Sequence, residues 1–324
     1  MVRSLAIAAL AAALMSACAV GPDHVRPHMA VPERFGASDV ATAQDAAPAQ
    51  ASFDDAFLQG LDDPLLAQLV DEALHANHDL RIALSRLDRA RALLRETRFD
   101  ALPTVTAQGE AADVRSSADQ LPGVPRAARD GEQWSAGISA GWELDLFGRV
   151  RRGIEAGRAG ADASAADLRA IQVAVAGEVA RGYVGLRGTQ ERLRVARANR
   201  DNQQRTLELV NARLDAGAGT EFDTARARAQ LETTAARIPA LESQERVAMH
   251  RLAVLTGRDP TALLDILSPA TPLPALPPRI DPGTPGGLLR ARPDVAAAEA
   301  RLHAATARIG VATADLFPRF TLGG

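Results

Sequence analysis

The chain has 324 residues, 47% of them hydrophobic but only 3% aromatic, and a formal net charge of −3. Alanine supplies most of the apolar count and buries little area per residue, so a round core would be poorly filled, whereas long helices packed along narrow seams suit it. All 37 basic residues are arginine, set against 40 acids, a balance that gives no reason to expect nucleic acid or an anionic surface as partner.

Residues 1–17 carry one cation, Arg3, the apolar run "LAIAALAAALM" and then Ser16 and Ala17 before Cys18. The run is too short to span a bilayer and fits the apolar region of a secretory signal peptide. The block "LMSAC" resembles the lipobox of bacterial lipoproteins, which are cleaved before the cysteine and acylated on it. Cys18 is the single cysteine of the chain, so no intramolecular disulfide competes for it. A covalent lipid there anchors the chain, more than one acyl chain making the attachment effectively permanent, and no other cofactor is expected. Ala19, rather than an aspartate after the cysteine, points by resemblance to lipoprotein sorting to the outer membrane of a bacterium, with most of the chain in the periplasm. Residues 18–62, rich in Ala and Pro without a period, read as an extended tether.

Residues 63–101 predict one helix. Asp62 or Asp63 can cap it and Pro64 suits its first turn. Leu66, Ala73, Leu80, Leu87 and Leu94 recur every seven residues, with Val70, Asn77, Leu84 and Arg91 on the companion row, the pattern of a coiled-coil seam. His75 and His78, three apart, could share a metal, but no third ligand follows at a suitable spacing; a solvated helix face is the simpler reading and no metal is expected.

From 102 to 148 the period changes to two. Val105, Ala107, Gly109 and Ala111 share one face, and after a polar loop of about 20 residues Trp134, Ala136, Ile138, Ala140, Trp142, Leu144 and Leu146 share another. Such a hairpin fits a membrane barrel with a wet lumen, with Trp134 and Trp142 as interface aromatics. Alternation alone fits equally a soluble hairpin packed on helices. Arg149, Arg151 and Arg152 then line a lumen or form a polar collar at the water boundary.

Residues 149–256 predict a long helical hairpin. No proline falls between Arg149 and Leu214, and the apolar row runs through Ile154, Ala161, Leu168, Val175, Val179, Leu186, Leu193, Leu207 and Leu214, with Arg200 filling one slot and a stutter between Val175 and Val179. "LDAGAGTEFD" is the turn: Gly217 and Gly219 can adopt left-handed conformations, and Thr220 can cap the returning helix with Asp223 at its third position. That helix is expected to run unbroken to Gly257. Residues 257–287 contain "SPATPLPALPPRIDPGTPGG" and read as a proline-rich linker.

Residues 288–324 open a second repeat, predicted as one helix followed by the beginning of a third strand. Shifted by 215 residues, Asp79 to Gly109 aligns without a gap on Asp294 to Gly324, with ten of 31 positions identical, Asp100 with Asp315 and Pro103 with Pro318 among them. The second copy reaches only the beginning of a third strand, so it is expected to be incomplete. The overall class is mainly α, with the coiled-coil-like hairpin and an antiparallel β-hairpin beside it.

The blocks "CAVGPDHVRP", "WELDLFGRVRR" and "LLRARPDVAAAEARLHAATARIGVATADLFPRFTLGG" resemble the outer membrane efflux proteins, the lipid-anchored channels of tripartite multidrug pumps. The resemblance implies a homotrimer whose subunits each give four strands to a 12-stranded barrel and helices to a periplasmic tunnel. It implies membrane lipid, a periplasmic adaptor and an inner-membrane pump as partners, and export of small molecules, not catalysis. It puts Arg213, Asp215, Gly217, Gly219, Thr220 and Asp223 at the periplasmic tip that meets the adaptor. With two strands and part of a third, these residues alone are expected to be non-conducting. Two alternatives are a lipid-anchored periplasmic scaffold or adaptor without a pore and the fragment of a broken gene.

Overall fold

The structure, a computed structural model, describes residues 19–28, 30–32, 35, 61–275 and 284–324. The signal peptide, Cys18, most of the tether and the middle of the proline-rich linker lie outside the described residues. In chain order the elements are α1 (Pro64–Ala76), α2 (His78–Phe99), β1 (Thr104–Arg115), β2 (Asp130–Leu144), α3 (Arg149–Asp215), α4 (Glu221–Ala235), α5 (Ile238–Leu255), a single turn α6 (Leu264–Leu267), α7 (Pro285–Ala291), α8 (Pro293–Ala314) and β3 (Phe320–Gly323). They divide into two units: unit 1 holds Met1–Met29, Leu87–Ala165 and Ala297–Gly324, and unit 2 holds Ala30–Arg86 and Ala166–Ala296.

Unit 2 is built on the predicted seams. Asp63 caps α1, its Oδ1 accepting from the Leu65 and Leu66 amides at 3.1 and 3.0 Å. Leu66, Leu69, Val70, Ala73 and Leu80 pack with Val175, Ala176, Val179 and Leu186 of α3 and with Met249, Leu252 and Ala253 of α5. Both residues of the stutter, Val175 and Val179, are buried, so the four-residue step keeps the apolar row inward. On the companion row Leu84 is 49% exposed, so that row stops serving the core after Asn77.

Three expected continuous segments are broken. The first helix divides at Asn77, whose ψ of 134° is extended. Its Oδ1 accepts from the Asp79 and Leu80 amides and caps α2, while its Nδ2 donates to the Leu255 carbonyl at 2.9 Å. The returning helix divides between Ala235 and Ile238 because Pro239 sits in the first turn of α5, where its missing N–H is tolerated. The final helical run divides at Pro293 for the same reason, and α7 starts at Pro285, inside the stretch read as linker, with Thr284 accepting from the Gly287 amide at 3.1 Å. That linker is anchored at its start too, since Leu263 and Leu267 are fully buried in unit 2.

Unit 1 contains an antiparallel sheet in the order β1-β2-β3. Val105 pairs with Ala140, Ala107 with Ile138, Gly109 with Ala136 and Ala111 with Trp134, so the two apolar rows lie on one face. Trp142 pairs with Leu322 and Leu144 with Phe320, which carries the same face onto β3. The strands run longer than expected and shorten the connecting loop to residues 116–129. Along β1 and β2 the apolar face is open: Val105 is 67%, Trp134 74% and Ile138 78% exposed. The soluble alternative, a hairpin with this face packed on helices, is therefore not the arrangement observed.

Candidate functional site: hairpin tip, open sheet face and N-terminal strap

At the tip, α3 ends with the Gly217 amide donating to Leu214 O at 2.9 Å and the Ala218 amide to Arg213 O at 2.9 Å. Gly217 is left-handed at φ 71°. Gly219 is not; its constraint is space, because a Cβ there would lie 3.1 Å from the Leu214 nitrogen. Thr220 and Asp223 form the predicted capping box, Thr220 Oγ1 accepting from the Asp223 amide and Asp223 Oδ2 from the Thr220 amide. Arg213, Asp215, Gly217, Thr220 and Asp223 are exposed, and Gly219 is half-buried. The predicted tip residues are thus brought together, but Thr220 and Asp223 spend their polar atoms on each other. Thr220→Ala should cost about 1 kcal/mol and show as faster amide hydrogen exchange confined to the first turn of α4. Phe222, 72% exposed between Glu221 and Asp223, escaped the sequence reading because it follows no period.

At the junction of sheet and helix the three arginines part company. Arg149 forks onto Glu143 at 2.8 and 2.6 Å. Asp145 caps α3, accepting from the Val150 and Arg151 amides, and also pairs with the Arg151 guanidinium. Those two fit a polar collar. Arg152 does not: its side chain is only 8% exposed, and it turns to Asp23 at 2.6 Å and Glu155 at 2.8 Å. The expectation of a lumen or collar role fails for Arg152 because a segment far off in sequence covers it. Beside the collar Phe147 stacks on Phe317 with centroids 4.6 Å apart. Trp142 is held by Nε1–H donation to Ala101 O at 3.1 Å, whereas Trp134 has its ring on the open face.

The covering segment is residues 19–28, a strap in unit 1 that was read only as the start of a tether. The Val20 amide donates to Phe147 O at 3.1 Å. Ala19 lies so close to Gly148 that a Cβ on that glycine would be 2.7 Å from the alanine Cβ. Gly21 crosses α8 at Gly310, where a Cβ on Gly21 would come within 2.5 Å of the Gly310 Cα. His24 stacks on His303 and Arg26 pairs with Glu299 at 2.9 Å. Burial acts to raise the Glu155 pKa, but hydrogen bonds from Arg152 and His303 outweigh it and hold the carboxyl below its ordinary range.

In unit 2, Arg187 is 1% exposed, although arginine is rarely buried in full. Its Nη1 donates to Gln190 Oε1, Leu267 O and Pro269 O, and its Nη2 to the Tyr183 hydroxyl. The Tyr183 hydroxyl donates to Asp63 Oδ2 at 2.8 Å; burial pushes the phenol pKa up, the bond to Asp63 adding to the rise and Arg187 opposing it. Gly182, 3.2 Å from Leu252 Cδ2 as a notional alanine, was the one sequence sign of close approach here. His75 Nδ1 lies 2.8 Å from its own helix's Asp71 carbonyl.

Residues 69–258 match the family described as outer membrane efflux protein. The chain is 30% identical over 311 residues to nodulation protein T of Rhizobium leguminosarum bv. trifolii, covering 96% of this chain and 64% of that protein. It is 29% identical over 313 residues to the probable outer membrane lipoprotein SilC of Salmonella typhimurium, covering 95% and 65%. Among solved structures, the outer-membrane channel OprN superposes with a TM-score of 0.83 at 41% identity, over 94% of this chain and 66% of that one. The chain therefore spans a little under two thirds of the length of the curated relatives it matches.

Proposed function

Since the chain belongs to the outer membrane efflux protein family, we propose that it supplies part of a lipid-anchored outer membrane channel that passes small molecules from the periplasm out of a bacterial cell. The observation that carries this reading is the open apolar face shared by all three strands. β1 and β2 have 12 and 15 residues, and a bilayer crossing takes about 9–11. In water an open apolar face is a liability; in lipid it is the outer wall of a barrel.

β1 and β3 are the edges of the sheet, and unpaired edges do not persist in lipid. A closed barrel thus takes further strands to pair with these two edges. The family arrangement is a homotrimer with a periplasmic adaptor and an inner-membrane pump; the exposed tip with Phe222 is the surface we assign to the adaptor. The lipid reading rests on the lipobox and the single cysteine. Cys18→Ala should abolish incorporation of labelled palmitate; persistent labelling would remove the anchor.

Export is tested by deleting the gene while leaving pump and adaptor in place and following uptake of a fluorescent efflux substrate. Several-fold higher accumulation is the expected result. Unchanged accumulation in cells without a substitute channel would favour a scaffold without a pore.

A further inference from the structure

The strap is fastened in unit 1 by a chain of polar contacts that neither the channel reading nor the lipid reading uses. His24 and His303 lie ring over ring, centroids 4.4 Å apart and planes 12° from parallel. His303 Nε2 is 2.8 Å from Glu155 Oε1. Glu155 Oε2 accepts from Arg152 Nη1 at 2.8 Å, and Arg152 Nη2 returns to the strap at Asp23 Oδ1, 2.6 Å. Further along the strap Arg26 reaches Glu299 of α8.

We propose that the stacked His24–His303 pair is an acid-sensitive catch that fastens residues 19–28 to α3 and α8, closed while at most one ring is protonated and released when both are. With Glu155 ionised, the His303 nitrogen that faces it must carry a proton and donate. Among the described residues, the contacts above join the pair to Glu155 and Arg152 on α3 and to Asp23 on the strap, and the strap and α8 also carry the Arg26–Glu299 ion pair. That is two guanidinium groups against three carboxylates, so one proton added to the two rings is offset by the excess negative charge. A second places like charges face to face at stacking distance, where repulsion is strong and only partly screened. The partner able to move is His24, since it sits on extended chain whose Asp23 and Arg26 side chains are 86% and 64% exposed, whereas His303 is held on a helix. The rings do not form a metal site: the lone pairs of parallel imidazoles lie in separate planes and cannot converge on one ion. Release would free residues 19–28 from α3 and α8, whatever the chain transports.

The test is hydrogen exchange of the full chain in detergent at about pH 7.5 and about pH 5, the span across which histidine ordinarily titrates, corrected for the intrinsic pH dependence of exchange. The Val20 amide and its neighbours should exchange roughly ten-fold faster at the lower pH, with the first turns of α3 unchanged. His24→Phe keeps a stacking ring without a titratable nitrogen and should hold the strap at both pH values. His24→Gln loses the stack and should loosen it at both. A strap still protected at the lower pH, a His24→Phe strap that opens like the wild type, or a His24→Gln strap as protected as the wild type would each overturn the proposal. The second outcome would assign release to Asp23, Glu155 or Glu299.

Discussion

Replacement of Arg187 by alanine should cost unit 2 about 3–5 kcal/mol. The guanidinium is buried and organises Gln190, the Leu267 and Pro269 carbonyls and the Tyr183 hydroxyl. Truncation leaves Gln190 Oε1, the Pro269 carbonyl and the Tyr183 hydroxyl without this donor, the Leu267 carbonyl keeping Gln190 Nε2, and opens a cavity beside the core formed by Leu186, Leu252 and Leu267. Arg187→Lys should recover only a minor share, because a single ammonium cannot span acceptors on a helix and on the chain that follows α6. Tyr183→Phe removes one link, leaving Asp63 without its phenol donor, and should cost about 1–2 kcal/mol. Hydrogen exchange of α1 and of residues 263–269, together with the thermal midpoint of the full chain in detergent, reads all three variants. A cost below about 1 kcal/mol for Arg187→Ala would mean that the network follows the packing instead of holding it.

Gly257→Val should be of similar size, about 3–4 kcal/mol, from two separate causes. Gly257 is left-handed at φ 71°, where a β-branched residue is strained. A Cβ at this position would also lie 2.5 Å from the Ala76 carbonyl oxygen and 3.0 Å from its carbon, so the end of α1 would have to move. That movement would pull Asn77 from the Leu255 carbonyl and uncap α2. Gly257→Ala sets the same Cβ against the Ala76 carbonyl but lacks the branched methyl groups of valine, and should fall between wild type and valine. The signature to look for is loss of exchange protection at the Asp79 and Leu80 amides, which Asn77 caps; unfolding confined to the end of α5 would contradict the coupling.

What could be read from the sequence was whatever depends on neighbours along the chain. α3 runs Arg149–Asp215 as expected, because a recurring apolar row without proline needs only local information, even with Arg200 in one slot. The strand faces were legible for the same reason, as was the Thr220–Asp223 capping box. Asn77 looked like a flaw in a seam because its partner, the Leu255 carbonyl, is 178 residues away. Arg152, expected at a lumen or collar, is covered instead because nothing near it in sequence announces Asp23, and the burial of Arg187 depends on the Leu267 carbonyl, 80 residues away. Pro239 was legible but passed over, since Ile238 and Leu241 keep the apolar row going across it. Gly219 was assigned the right place and the wrong reason, a left-handed angle in place of a close approach. Among the candidate site residues, Trp134 lies on the open sheet face and the tip turn closes with its capping box; the packing of the strap had no such local sign, because ten residues without a period do not show what they pack against.

The central claim is that the β-hairpin crosses the outer membrane while the helical tip stays in the periplasm. Single cysteines at Ala118, in the loop between β1 and β2, and at Ala218, in the tip turn, are both exposed in the structure. Intact cells producing Ala118→Cys or Ala218→Cys would be treated with a polymer-linked maleimide too large to pass porins. Labelling of Ala118→Cys in intact cells, and of Ala218→Cys only after the outer membrane is permeabilised, is the predicted result. Protection of both until permeabilisation would place the whole chain inside the outer membrane, contradict the barrel assignment and leave the periplasmic scaffold.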